Sequence, residues 1–324
     1  GGTPTLISNT GHPGGNPPLD TFPESVTREL ERRFQVTNTD AWDSYPNEPD
    51  TWYWTSISKS PGTGDLTRNF DIEIFDPAPA GGEAQITVEI LNNNDPFWTH
   101  IVDTYANGAA THAGTRTWLG RQNVNITNTQ PISTMVNLTN TVQIVFRTTN
   151  NTTNAYYYLN RITVDYPRQF NARNNQLQFQ TDSGPHEFTV SNFTENDPAN
   201  AMVWDITDRL QPQRIPMSAG NIGGSGPYDW TFGSNNNSGQ YIATTPDNTL
   251  IPLNITQYVV PDIDPAGNSA DWLAITAADF LAEVNNLAAH RQNNQFGGLD
   301  THVVNIEDVI NQYGYGFPIP GAIK

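Results

Sequence analysis

Apolar and polar residues alternate along much of this chain, and that alternation leaves few folds open to it. In TVQIVFRT (141–148), Val142, Ile144 and Phe146 recur at every second position. Successive side chains of an extended strand point to opposite faces, so these three share one face of a sheet. The same period of two runs through FDIEIF (70–75), AQITVEIL (84–91), TRTWLG (115–120), QNVNIT (122–127), STMVNLT (133–139) and YYYLNRITVDYP (156–167). Short strands broken by Asn, Gly and Pro predict a mainly β fold, with a jelly-roll-like β-sandwich over residues 27–168.

The flanking sequence reads differently. Residues 1–26 carry repeated Gly and Pro without periodicity, which predicts a flexible arm. Such an arm can add a strand to a neighbour's sheet, so self-association through residues 1–26 is an expectation. Residues 169–265 predict a second β-rich module, with strands at QLQFQ (176–180), HEFTVSNF (186–193), MVWDITD (202–208), GQYIATT (239–245) and LIPLNITQYVV (250–260). The Gly/Ser/Asn/Pro stretch 217–238 reads as a long loop between them.

Residues 266–324 change period. Phe280, Val284, Leu287 and Ala288 lie at i, i+4, i+7 and i+8, one helix face. Thr276 with Asp279 three positions on suggests a capping box. Buried-type strands at Trp272–Ile275 and His302–Ile306 flank that helix, and the Pro-rich turn 317–320 opens a further helix at Gly321–Lys324. A βαβ crossover of this length is right-handed and parallel. Two parallel strands cannot cover both their faces, so an incomplete α/β segment is expected here.

Composition excludes several functions. The formal net charge is −18, yet only 15% of residues are charged, and 37 are Asn. Without a basic stripe the chain has no footprint for nucleic acid, nor for an anionic membrane surface. No apolar run approaches the length of a membrane span. With no Cys there is neither a disulfide nor a thiolate nucleophile within these residues.

Candidate ligand-facing residues are few. Trp52, Tyr53 and Trp54 form either a sugar-stacking platform or, by alternation, a strand with Trp52 and Trp54 inward and Tyr53 outward. Asp262 and Asp264 in PDIDPAGN offer hard carboxylate oxygens to Ca2+. Asp205 and Asp208 could do so too, though turn stabilisation explains them more simply. His100 and His112 flank a loop and could form a metal pair across a hairpin; His290 suits the C-terminal end of a helix dipole. No HExxH, GxSxG or phosphate-binding loop occurs, so no catalytic residue is assigned and no cofactor is required.

The order of segments carries more than any one motif. LNRITVDYPRQF (159–170) is followed by FTVSNFTENDP (188–198) and VWDITDRLQPQRI (203–215). Then come ADWLAIT (270–276), LAAHRQN (287–293), THVVNIEDVINQYGYG (301–316) and PIPGAIK (318–324). This series resembles the region preceding and entering the catalytic domain of secreted gingipain-like cysteine peptidases, whose catalytic domain has a caspase-like fold. Ala270–Thr276, Ala288–Arg291 and Val303–Val309 stand where that family has its first strand, helix ending and second strand. The resemblance implies an extracellular or cell-surface protein whose catalytic His and Cys belong to the rest of the same precursor or to a second chain. The present chain would then position or anchor that catalytic part. The competing expectation is a non-catalytic surface, assembly or glycan-binding scaffold.

Overall fold

In the computed structural model the described residues are 16–34, 52–92, 98–108, 114–149, 154–182, 184–234, 238–251 and 269–318, with residues 259 and 263. They form two compact units, one from residues up to 250 and one from residues 251–324. The fold is mainly β with a small α/β segment at the C-terminus, as the alternation predicts.

The first unit opens with β1 (Thr21–Glu29), β2 (Arg33–Phe34), β3 (Trp52–Tyr53), β4 (Thr55–Lys59) and β5 (Leu66–Ile74). It continues with β6 (Glu83–Asn92), β7 (Thr99–Ala106), β8 (Gly114–Leu119), β9 (Asn123–Pro131), β10 (Leu138–Phe146) and β11 (Ala155–Gln169). Two antiparallel sheets face each other, ordered β1-β11-β6-β9 and β5-β10-β7-β8. Strand β11 is the hub. Its residues 155–159 pair with β4, its residues 161–169 with β1, and its other edge with β6. The core between the sheets holds Ile72, Ile74, Ile86, Val88, Ile90, Val142, Ile144, Phe146, Ile162 and Val164, the inward half of each alternation. Burying each such side chain is worth about 1.5–3 kcal/mol.

The second β module follows in the same unit around its own core of Phe170, Leu177, Phe179, Phe188, Val190, Phe193, Trp230, Phe232 and Tyr241. Its strands are β12 (Gln176–Thr181), β13 (His186–Phe193), β14 (Met202–Asp205), β15 (Gln213–Ile215), β16 (Ile222–Gly223), β17 (Tyr228–Ser234) and β18 (Gly239–Thr244). They form sheets ordered β12-β18-β14-β15 and β13-β17-β16. The second unit has β19 (Trp272–Thr276), α1 (Leu281–Gln292), β20 (Thr301–Asn305) and α2 (Ile306–Tyr313). Here β19 and β20 pair in parallel, Trp272 opposite Thr301 through Thr276 opposite Asn305.

Several expectations need correction. The arm expected over 1–26 gives way to strand at Thr21, because Phe22 finds a core and the backbone finds β11. Residues 17–19 also bond in cis to Glu187, so this stretch is already paired within its own chain. The loop expected over 217–238 contains β17, the middle strand of its sheet; Trp230 in it is fully buried and stacks on Phe193 at 3.6 Å. Of the strand expected at 133–139 only residues 138 and 139 are strand, as the start of β10; ahead of it lies a 3-10 turn at Ile132–Thr134. There the Asn140 side chain accepts from Val136 N and donates to the carbonyls of Val136 and Leu138, replacing a ladder. Thr276 does not cap a helix: it ends β19, and a 3-10 turn at Ala278–Phe280 precedes α1. Strand β20 stops at Asn305, whose side chain accepts from Glu307 N and so starts α2. The helix expected at 321–324 and most of the strand expected at 250–260 lie outside the described residues.

Candidate functional site

The α/β segment is built from a parallel pair, and parallel strands are ordinarily covered on both faces. Among its described residues only Ala288, Val304 and Val309 are buried hydrophobics. Leu273 and Ile275 share one face of β19 by period two, and both are exposed, at 57% and 36%. Phe280, Leu287, Phe296, Tyr315 and Phe317 are exposed as well. Of the helix face read from the sequence, Ala288 alone is buried, and Val284 is half-buried. His290 sits in the last turn of α1 and stacks on Phe296 at 4.1 Å, while His302 lies exposed on β20.

The aromatic run divides three ways. Trp52 is 45% exposed and leans on the equally exposed Phe34 at 5.4 Å. Tyr53 is buried in a separate small cluster with Leu91 and Tyr158. Trp54 enters the sandwich core and carries the Arg28 guanidinium over its ring. Neither reading from the sequence survives: the chain bends at Trp54 between β3 and β4, so alternation is interrupted there, and a three-ring platform does not form.

Asp205 and Asp208 serve turns. Asp205 Oδ1 accepts from Thr207 N at 2.9 Å, and Asp208 Oδ1 from Leu210 N at 3.0 Å. Asp262, Asp264 and His112 lie outside the described residues. Among the described residues no group of three or more acidic or His side chains is placed to hold a metal. No described helix is long and apolar enough to cross a membrane.

Two polar clusters escaped the sequence reading. His100 on β7 is fully buried between the sheets, with Nδ1 2.9 Å from the Tyr157 hydroxyl and its ring 5.2 Å from Trp118. Its Nε2 and the Trp118 Nε1 have no protein partner. Burial holds the imidazole pKa down at about 4 and pushes the Tyr157 phenol up. On the outer face, Arg147 at the end of β10 bonds Asp103 at 2.5 Å, Asp65 at 2.7 Å and the Tyr105 hydroxyl at 2.7 Å. The guanidinium and Thr148 N lower the Asp65 carboxyl, and the two carboxylates raise Arg147. Thr115 donates to Asp103 as well, so this network ties β7, β8 and β10 together. Both clusters join residues more than ten positions apart, and a lone His or Arg in a strand gives no local signal of such partners.

No curated protein matches the sequence. Residues 266–324 match the model of Peptidase family C25. Among solved structures, the crystal structure of dimeric latent PorU from Porphyromonas gingivalis has a TM-score of 0.59 at 15% identity, over 97% of this chain and 28% of that one. The chain therefore spans little more than a quarter of that relative. A structure of infectious bursal disease virus, Gx strain, has a TM-score of 0.28 at 10% identity, over 70% of this chain and 42% of that chain, too low to bear on the fold. The chain thus shares its fold with part of PorU, and over residues 266–324 it is similar to Peptidase family C25, the gingipain family that its sequence resembles.

Proposed function

We propose that this chain is the N-terminal, non-catalytic part of an extracellular gingipain-like cysteine endopeptidase, with the sandwich and second module positioning or anchoring the catalytic domain. The observation that carries this reading is the parallel β19/β20 pair. It lies in the stretch that matches Peptidase family C25, and it leaves Leu273 and Ile275 uncovered. Further strands and helices of the same domain would bury that face, with the catalytic His and Cys on them. The reaction would be thiolate attack on a peptide carbonyl, with His as proton shuttle and backbone N–H groups holding the oxyanion. Calcium at Asp262 and Asp264 belongs to the same reading, tested by a calcium-dependent melting shift that an Asp262→Asn/Asp264→Asn variant abolishes.

The test is mass spectrometry of the protein from its native source together with a thiol-alkylating peptide probe. A polypeptide continuing these residues, or a companion chain, that carries a labelled Cys supports the reading. A mature protein with no such thiol, alone or in complex, refutes it. The second reading, a glycan-binding surface scaffold, rests on the exposed Phe34–Trp52 pair. It predicts saccharide binding that Trp52→Ala removes.

A further inference from the structure

One segment near the N-terminus contributes to both cores of the first unit. Leu19 packs against the second module's core and Phe22, 2% exposed, lies inside it, 5.0 Å from Phe170 and 5.6 Å from Phe179. Val26 and Leu30, a few residues on, pack against the sandwich core. The backbone is divided in the same way. Leu19 N donates to the carbonyl of Glu187 on β13, and Glu187 N donates to Pro17 O, whereas Thr21–Glu29 pair with β11 of the sandwich.

Arg168 closes the arrangement. It stands opposite Phe22 in the β1–β11 register, with a side chain only 10% exposed. Its Nη1 meets Glu24 of β1 at 2.9 Å. Its Nη2 reaches Asp76, beyond β5, at 3.5 Å and the Asn171 carbonyl at 3.5 Å, where the chain enters the second module. The guanidinium lies 5.7 Å above the Phe22 ring. On the other side the linker is held by Ala78 N to Pro167 O and Gln169 N to Asp76 O, both 2.9 Å, and by Gln169 Nε2 to Pro77 O at 2.9 Å.

We propose that residues 19–30 are a clasp that locks the sandwich and the second β module into one rigid body, with Arg168 as its latch, and that displacing the clasp lets the second module swing about residues 167–171. The two cores are otherwise separate. A single covalent linker between two β modules leaves relative motion as the default. Here a second strand crosses the same junction and buries side chains on both sides of it. The inference stands on packing within the first unit and holds whether or not the chain belongs to a peptidase.

The absence of Cys makes the test direct. Spin labels at Arg121→Cys on the sandwich and Leu210→Cys on the second module, both exposed, report the distance between them in the full chain. The wild-type background gives one narrow distance distribution. Leu19→Ala/Phe22→Ala, which removes the anchors in the second core, broadens it. Glu24→Gln removes only the charge that Arg168 holds; it leaves both cores intact and broadens the distribution less. Where the double variant does not fold, Glu24→Gln alone decides. Distributions in the folded variants as narrow as in wild type, or a wild-type distribution already as broad as theirs, overturn the proposal.

Discussion

His100 gives the sharpest test of the sandwich core. Its imidazole is fully buried, and one ring nitrogen is satisfied by Tyr157 while the other is not. Above pH 6.5, the ordinary His value, the group is neutral folded and unfolded, and it adds no pH dependence. Between 6.5 and about 4 the unfolded chain binds a proton that the folded chain refuses, so stability falls as pH falls. Below about 4 both states are protonated and the loss levels off. At about 1.4 kcal/mol for each pH unit, the full loss is about 3 kcal/mol, a large part of the ~5–15 kcal/mol typical of a domain. The chain carries 33 Asp and Glu residues besides, so the His100 contribution must be isolated by difference. His100→Gln keeps a hydrogen-bonding group for Tyr157 but does not titrate. Urea unfolding followed by Trp fluorescence, on wild type and variant at half-unit steps from pH 7.5 to 4, gives the difference curve. We expect it flat above pH 6.5, with wild type losing ground steadily below. A difference that stays flat down to pH 4.5, or that favours wild type in acid, would show that His100 accepts its proton inside the fold and refute the reasoning.

Four further outcomes are expected. Gly114→Ala destabilises the sandwich by about 1–3 kcal/mol in urea melts, because a Cβ there would lie 2.2 Å from the Thr127 carbonyl oxygen, where β8 and β9 meet. Trp230→Ala costs about 3–5 kcal/mol and lowers the unfolding midpoint of the second module, since that ring is fully buried against Phe193. Asp103→Ala strips Arg147, Thr115 and Tyr105 of a shared acceptor and costs about 2 kcal/mol by denaturant unfolding; a change below the error of the melt would mean the network is idle. Leu273→Glu changes the stability of this chain by no more than about 0.5 kcal/mol, because that side chain is exposed; on the proposed function it would also abolish the activity of a peptidase whose catalytic domain packs on that face.

The sequence and the fold agree where a strand lies between two neighbours. In β6 and β10, and in β11 on either side of the register shift between Leu159 and Ile162, every second residue is inside, and alternation is the direct imprint of that environment. Elements whose partners are distant or whose polar residues serve as caps are harder to read. In β1 only Phe22 and Val26 mark an inner side, and they point into two different cores. Tyr228, Trp230 and Phe232 alternate plainly, but Gly, Ser and Asn on both flanks hide a strand of one turn-rich stretch. Ile306, Val309, Ile310 and Tyr313 have helical spacing, masked because the preceding Val303 and Val304 belong to a strand. The exposed face of the α/β segment was legible because two parallel strands make demands that no local propensity can meet. His100 was not legible as a core group, since its hydrogen-bond partner, Tyr157, is 57 positions away.

The pairing of Thr21 with Gln169 fixes an order of events during synthesis. Strand β1 leaves the ribosome before β11 but completes no ladder until β11 follows it. At about 5–20 residues per second that delay is on the order of 10–30 s. For that time β1 is an unpaired ribbon, and Pro23 and the charges on Glu24 and Arg28 are the features that keep it from joining a stranger's sheet. When β11 emerges it gathers β6, β4 and β1 together. Closing the sandwich therefore joins a strand to a partner made well over a hundred residues earlier.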